Sequence, residues 1–169
     1  MPTLDHFRTF ARYNQWANRR LYAACAQLTE AEYMKPRAAF FGSLHGTLNH
    51  ILVGDRVWMG RITGHDAGIR SLDQILYGDF AGLRVAREAE DAQIINVIEA
   101  MDEPTLNSTL RYKNMAGEAQ ATPMRLVLAH LFNHQTHHRG QAHGLLSQTG
   151  VAPPPLDLIY YLRESAPAD

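Results

Sequence analysis

Apolar residues recur along this chain at intervals of three and four, the signature of one helical face, over four long segments. In the first, about Leu4 to Leu28, the recurring positions are Phe7, Phe10, Asn14, Ala17, Leu21 and Ala24. Thr29 with Glu32 then makes a capping-box pattern, which predicts a short helical turn. Ser43 can cap the second segment and Gly64 can end it, with Leu44, Leu48, Ile51, Trp58 and Ile62 as its stripe. Asp79 can cap a third helix, about Phe80 to Met101, that turns Leu83, Ala86, Ile94, Val97 and Ile98 inward. Thr122 and Pro123 read as the cap and first residue of a fourth helix that ends near Gly150.

The stretches between these helices are informative too. "HDAGIRSLDQILYGDF" is long enough to cross over a bundle. The alternation in residues 106–113, with Gly117 able to turn the chain, predicts a small hairpin near 106–121. "APPPLDLIYYLRES" reads as a Pro-rich turn followed by a short terminal helix. Four long helices with short extras predict an all-α four-helix bundle, and the length of 169 residues suits a single domain over 1–169. Such bundles build ligand sites from side chains on facing helices.

Composition removes several classes of function. The chain is 46% hydrophobic and 20% charged, with a net charge of −1, so no global field favours nucleic acid or an anionic membrane. No apolar run is long enough to span a bilayer and the N-terminus has no apolar signal region, so a cytoplasmic protein is expected. Cys25 is the only cysteine, which excludes an internal disulfide and a cysteine-based zinc site. Its setting, "LYAACAQL", reads as core.

The chemistry concentrates in "HLFNHQTHHRGQ" (130–141), which holds four of the nine histidines. On a helix His134 and His138 share one face, about 40° apart. They sit in the stripe Val127, Leu131, His134, His138, Gln141, Leu145, apolar at its ends and polar in its middle. Burying two unpaired rings is costly, and a divalent metal resolves the cost because neutral imidazole is a common ligand. His137 and His143 fall off this line and are expected at the surface or on a shoulder. His130 stays open as a ligand, a neighbour of one, or a packed ring. No acid lies three residues before either histidine and residue 135 is Gln, so the Glu-x-x-His and HExxH patterns are absent.

A third ligand must come from elsewhere, with His6, His45, His50 and His65 as candidates. His50 has small or apolar helical neighbours, Gly46, Thr47, Val53, Gly54 and Val57, which leave room for a cavity. Helical phase instead puts Asp55 nearer the centre of the stripe, so both remain open on the residues alone. Gln141 could contact a ligand or satisfy the backbone or the first helix. Arg139 reads as a surface partner for an acid, ahead of a holder for an anionic substrate. Asn14 and Trp16 read as packing residues, Asn49 and Asn133 as local hydrogen-bonders, and Tyr13 as a pocket candidate. There is no Ser-His-Asp signature and no Gly-rich phosphate loop.

Three stretches together resemble the DinB/YfiT family, which is unrelated to the error-prone polymerase that shares the name. They are "YNQWANRRL" (13–21), "LNHILVGDRVWMGR" (48–61) and "HLFNHQTHHRGQ". The resemblance implies an up-down-down-up bundle with a metal near its centre, held by His50, His134 and His138. It casts Asp55 and Arg56 as a structural polar pair or as pocket lining. It also implies a homodimer, and relatives that are transferases and isomerases dependent on low-molecular-weight thiols such as mycothiol or bacillithiol. A three-histidine site with an open position is a catalytic arrangement rather than a structural one. The expectation is therefore a metal-dependent enzyme, with zinc or nickel ahead of iron or copper, acting as a thiol-dependent S-transferase or a hydrolase on a small molecule. The alternative is a non-catalytic, stress-related bundle that serves as a binding or scaffold dimer.

Overall fold

The structure is a computed structural model that describes residues 3–166. Residues 1–2 and 167–169 of the expected 1–169 unit lie outside the described ones. Helix α1 spans Leu4–Cys25, and the Thr3 hydroxyl accepts from the His6 N–H at its start. It stops short of Leu28 because the N–H groups of Gln27 and Leu28 reach back only three residues, to Ala24 and Cys25. Helix α2 spans Glu30–Met34 and is capped by Thr29. Only half of the expected capping box forms, because the Glu32 carboxylate turns to Lys35 and Arg37 instead. Helix α3 spans Leu44–Thr63, from the Ser43 cap to Gly64 in the left-handed region at φ +76°. Helix α4 spans Phe80–Ala100 from the Asp79 cap, and α5 is the short turn Glu103–Leu106.

The expected hairpin is present as β1, Thr109–Lys113, antiparallel to β2, Ala119–Pro123. It corrects one expectation. Thr122 and Pro123 are not the start of a helix but strand residues, paired with Leu110 and Thr109. The Met124 N–H continues that pairing to the Ser108 carbonyl, and helix α6, Met124–Leu146, follows with no side-chain cap. A terminal α7 spans Leu158–Ser165 after the Pro-rich turn.

Cross-helix contacts give the topology. Along α3 and α6, His50 meets His138 and Trp58 meets His130, so the two run antiparallel. Tyr22 meets Phe80 and Arg8 meets Glu99, so α1 and α4 are antiparallel as well. Phe7 meets Phe132 and Asn14 meets Arg139, so α1 and α6 run parallel. Asp55 meets Arg87 and Arg56 meets Glu90, which sets α3 alongside α4 in the same sense. This is the up-down-down-up bundle, with the 64–79 connection as its crossover. No helix among the described residues is long and apolar enough to cross a membrane.

The bundle has two apolar ends and a polar waist. One end gathers Leu21, Leu44, Leu48, Leu52, Leu83 and Leu146, and the other Phe7, Met59, Ile94, Ile98, Leu128 and Leu131. Between them Arg87 bridges Asp55 (2.5 Å) and Asp91 (3.0 Å). Gln135 donates to Asp55, Asn18 to Asp91 (2.9 Å), and Arg139 to Asn14 (2.6 Å). Burial raises the Asp55 carboxyl to about 7, and the Arg87 guanidinium offsets only part of that rise. Asp55 and Arg56 are therefore not partners: Arg56 pairs with Glu90 at 3.3 Å on the outer side of the same turn. Cys25 is core, and its burial pushes the thiol up to about 12, so it stays protonated.

Candidate metal centre

The core stripe of α6 does not pass through the histidines. Its buried positions run Val127, Leu128, Leu131, Gln135, Arg139, Ala142 and Leu145. Two residues that look superficial in sequence, Gln135 and Arg139, occupy the waist because α1, α3 and α4 supply them with polar partners. His134 and His138 are displaced to the flank of the stripe, half-buried where α6 meets α3. The histidine group thus sits at a seam between two helices rather than on the bundle axis.

His50, fully inside on α3, completes the group. Its Nε2 lies 3.2 Å from Nε2 of His134 and 3.1 Å from Nε2 of His138. Two glycines one turn either side of His50 make this approach possible. A Cβ at residue 54 would fall 2.5 Å from Cε1 of His134, and one at residue 46 would fall on the Phe41 carbonyl. The second close approach lays the 37–43 segment against α3, and the Phe41 ring stacks on His50 with centroids 3.8 Å apart. Nothing in the sequence pattern singles out Phe41.

The hydrogen bonds around the group select its donor atoms. Nδ1 of His50 donates to the Leu72 carbonyl (2.7 Å), and Nδ1 of His138 donates to Oε1 of Gln141 (2.8 Å). Both rings therefore carry their proton on Nδ1 and turn an Nε2 lone pair toward the other. Lone pairs at that separation repel unless a cation or a proton lies between them. Burial pushes all three imidazoles below the usual range, and the neighbouring rings add to this at His134, which falls to about 3. The three are neutral at pH 7, the form in which imidazole ligates. Donors 2.0–2.1 Å from a shared tetrahedral ion lie about 3.3 Å apart, close to the separations here. Among the described residues His50, His134 and His138 are the group of such side chains that could hold a metal ion. They fit one, with the remaining directions facing the half-open seam.

The other candidates take different places. His45 is buried against Tyr33 and Asn49, His6 stacks on Phe10, and His65 sits on the loop beside Thr63. Asp55 belongs to the waist, as described. His137 is exposed and accepts from Gln141, while His143 meets the Pro154 carbonyl. His130 lies between Trp58 and His134, a neighbour of the group and not part of it. Asn49 does more than bond locally: it grips Leu76 and Tyr77, fixing the connection that carries Leu72. Arg139 is not a surface residue. It is 2% exposed, bonded to Asn14 and Asn18 and stacked over Tyr13. Trp16 and Tyr13 pin the C-terminal segment through Glu164 and the Leu156 carbonyl. A cavity of about 720 Å³ lies beneath the Pro-rich turn, lined by Tyr13, Arg139 and His143 and by none of the three histidines of the group.

A model of the DinB family matches residues 1–168. The chain belongs to the DinB family. It is 26% identical over 163 residues to Protein DinB of Bacillus subtilis (strain 168), covering 89% of this chain and 90% of that one. Its fold is similar to the crystal structure of a DinB-like protein from Bacillus cereus ATCC 10987, at TM-score 0.66 and 18% identity, over 86% of this chain and 94% of that one. A second DinB-like protein, YjoA of Bacillus subtilis, matches at TM-score 0.61 and 17% identity with the same coverage. The seam between α3 and α6 is thus a candidate metal site within a DinB bundle.

Proposed function

We propose that His50, His134 and His138 bind a divalent metal, zinc or nickel before iron or copper, and that the protein is a metal-dependent enzyme. The reading rests on one observation: the Nε2 atoms of these rings converge, with the Nδ1 protons of His50 and His138 committed elsewhere. Such an ion supplies Lewis acidity, lowering the pKa of water or of a thiol beside it toward neutrality. The chain's own residues prepare the site for it. The Leu72 carbonyl and Gln141 orient two of the rings, as hydrogen-bond partners of metal-bound imidazoles do. The Phe41 ring covers His50 and keeps water from that side. The half-exposure of His134 and His138 leaves a way in for a small molecule, which favours catalysis over a closed scaffold. Between S-transfer with a low-molecular-weight thiol and hydrolysis, the family resemblance favours S-transfer. The same resemblance supports a homodimer, tested by light scattering against the 19.0 kDa of one chain.

Elemental analysis tests the metal. About one equivalent is expected in the unsubstituted protein, and loss of it in His50→Ala, His134→Ala and His138→Ala. Metal content that none of these substitutions changes would refute the site. A panel of small thiols with an electrophilic acceptor tests the reaction. Consumption of one of them that stops on chelation is expected, and no turnover by metal-loaded protein across the panel would exclude the transferase.

A further inference from the structure

Two turns along α3 from Gly54, the glycine against His134, lies Arg61, about 10 Å farther down the helix axis and about 16 Å along it from His50. Its guanidinium lies against two rings that themselves meet edge to face, 4.6 Å from the ring centre of Trp58 and 4.8 Å from that of Tyr112 on β1. A row of rings joins it to the site, Trp58 to His130 at 5.0 Å and His130 to His134 at 5.7 Å. Arg61 is half-buried, yet no described carboxylate pairs with it. A guanidinium drawn partly out of water without an acid partner is unusual, because its desolvation goes uncompensated. Stacking holds it in place while its N–H fork stays free.

The cavity beside it has the same character. It measures about 520 Å³ and lies between the hairpin and the 65–70 loop, with Val57, Arg61, Ile69, Arg70, Lys113 and Met115 among its walls. The one acid on its wall, Asp66, is taken by Arg70 at 3.6 Å and by the Gly68 N–H. Lys113 has no ion-pair partner among the described residues. Arg61, which has no acid partner among the described residues, and the exposed Lys113 therefore face one concave space, two helical turns along α3 from the glycine that His134 abuts. The connection that walls this space also supplies the Leu72 carbonyl that orients His50.

We propose that this cavity is the anion subsite of that centre, where Arg61 and Lys113 hold a carboxylate or phosphoryl group whose molecule extends its reacting end to the histidines. The proposal rests on the metal-enzyme reading and narrows its substrate to a small organic anion. Arg61 supplies the planar fork that carboxylates and phosphates accept, and Lys113 adds a mobile charge at the rim.

Trp58 is one of two tryptophans in the chain, so a Trp16→Phe protein reports on the subsite through Trp58 emission. Succinate and inorganic phosphate are titrated separately at constant ionic strength into metal-free protein. A saturable change with either is expected, and which anion gives it identifies the group. Arg61→Gln should weaken it about tenfold or more, the loss of one charge-assisted contact. Calorimetric titration of the protein with Trp16 intact repeats the measurement without that substitution. No saturable binding of either anion, or equal affinity in Arg61→Gln, overturns the subsite. Metal uptake measured on the same preparations separates the two ideas. Uptake without an anion response refutes the subsite alone, and an anion response in protein that takes up no metal refutes the metal reading alone. In cobalt-loaded protein the visible band of thiol binding should favour 8-mercaptooctanoate, whose chain is long enough to span two helical turns, over neutral 8-mercapto-1-octanol about tenfold. A preference that survives in Arg61→Gln would break the link between subsite and metal.

Discussion

At the scale of single residues, the choice between His50 and Asp55 shows what helical phase can and cannot decide. Every residue of α3 from Leu44 to Asp55 is buried, so the helix has no polar side to mark which face is which. Phase put Asp55 at the centre of the bundle, and there it lies, paired with Arg87. What phase could not convey is that the histidine group is off-centre, on the flank that α3 turns toward α6. The small neighbours of His50 were the better signal, and Gly54 carries a prediction. Ala is favoured over Gly inside a helix by about 1 kcal/mol, so Gly54→Ala should leave the fold intact or slightly more stable. Its Cβ would nevertheless lie 2.5 Å from Cε1 of His134, and the ring must swing away from the other two. Metal affinity, measured by competition with a chromophoric chelator, should fall about tenfold or more while urea stability does not. Affinity equal to that of the unsubstituted protein would show that His134 is not a ligand.

At the scale of elements, the boundaries set by local chemistry were legible. Ser43, Gly64 and Asp79 act where their side chains or backbone freedom predicted. Thr122–Pro123 misled because the same dipeptide suits the end of an edge strand, and pairing with Thr109 and Leu110 decides between the two. Long-range partners were not legible either: Arg139 and Gln135 lie in the waist because of residues that are distant in sequence. The waist gives the helices their register, and Arg87 holds it. Arg87→Met would leave Asp55 and Asp91 buried beside an apolar chain, a loss of about 3–5 kcal/mol. Arg84→Ala removes an exposed pair with Glu88 on the same helix and should cost no more than about 1 kcal/mol. Urea denaturation of the two variants should differ by that margin, and equal losses would mean that the waist adds nothing beyond an ordinary surface ion pair.

At the scale of the whole molecule, the histidine group joins helices whose proposed ligands are 84 and 88 positions apart. The unfolded chain cannot assemble such a site, so metal affinity becomes folding stability. At one hundred times its dissociation constant a metal adds about 2.7 kcal/mol. For a chain of this length that is a rise in Tm of roughly 5–10 °C, and it should vanish in His50→Ala and in His138→Ala. The pH dependence of this rise has a definite sign. The metal competes with protons for the native rings, and all three hold their protons more weakly than a free imidazole does. The increment should therefore be full at pH 7 and persist at pH 6, where an ordinary imidazole of pKa about 6.5 is mainly protonated. It should shrink only as the pH falls further, through the depressed values. Thermal melts with zinc, nickel and chelator at each pH measure it. A Tm that none of these metals moves at pH 7 would mean that the seam between α3 and α6 is closed by hydrogen bonds alone. An increment already lost at pH 6 would mean that the rings titrate as free imidazoles, contrary to their burial.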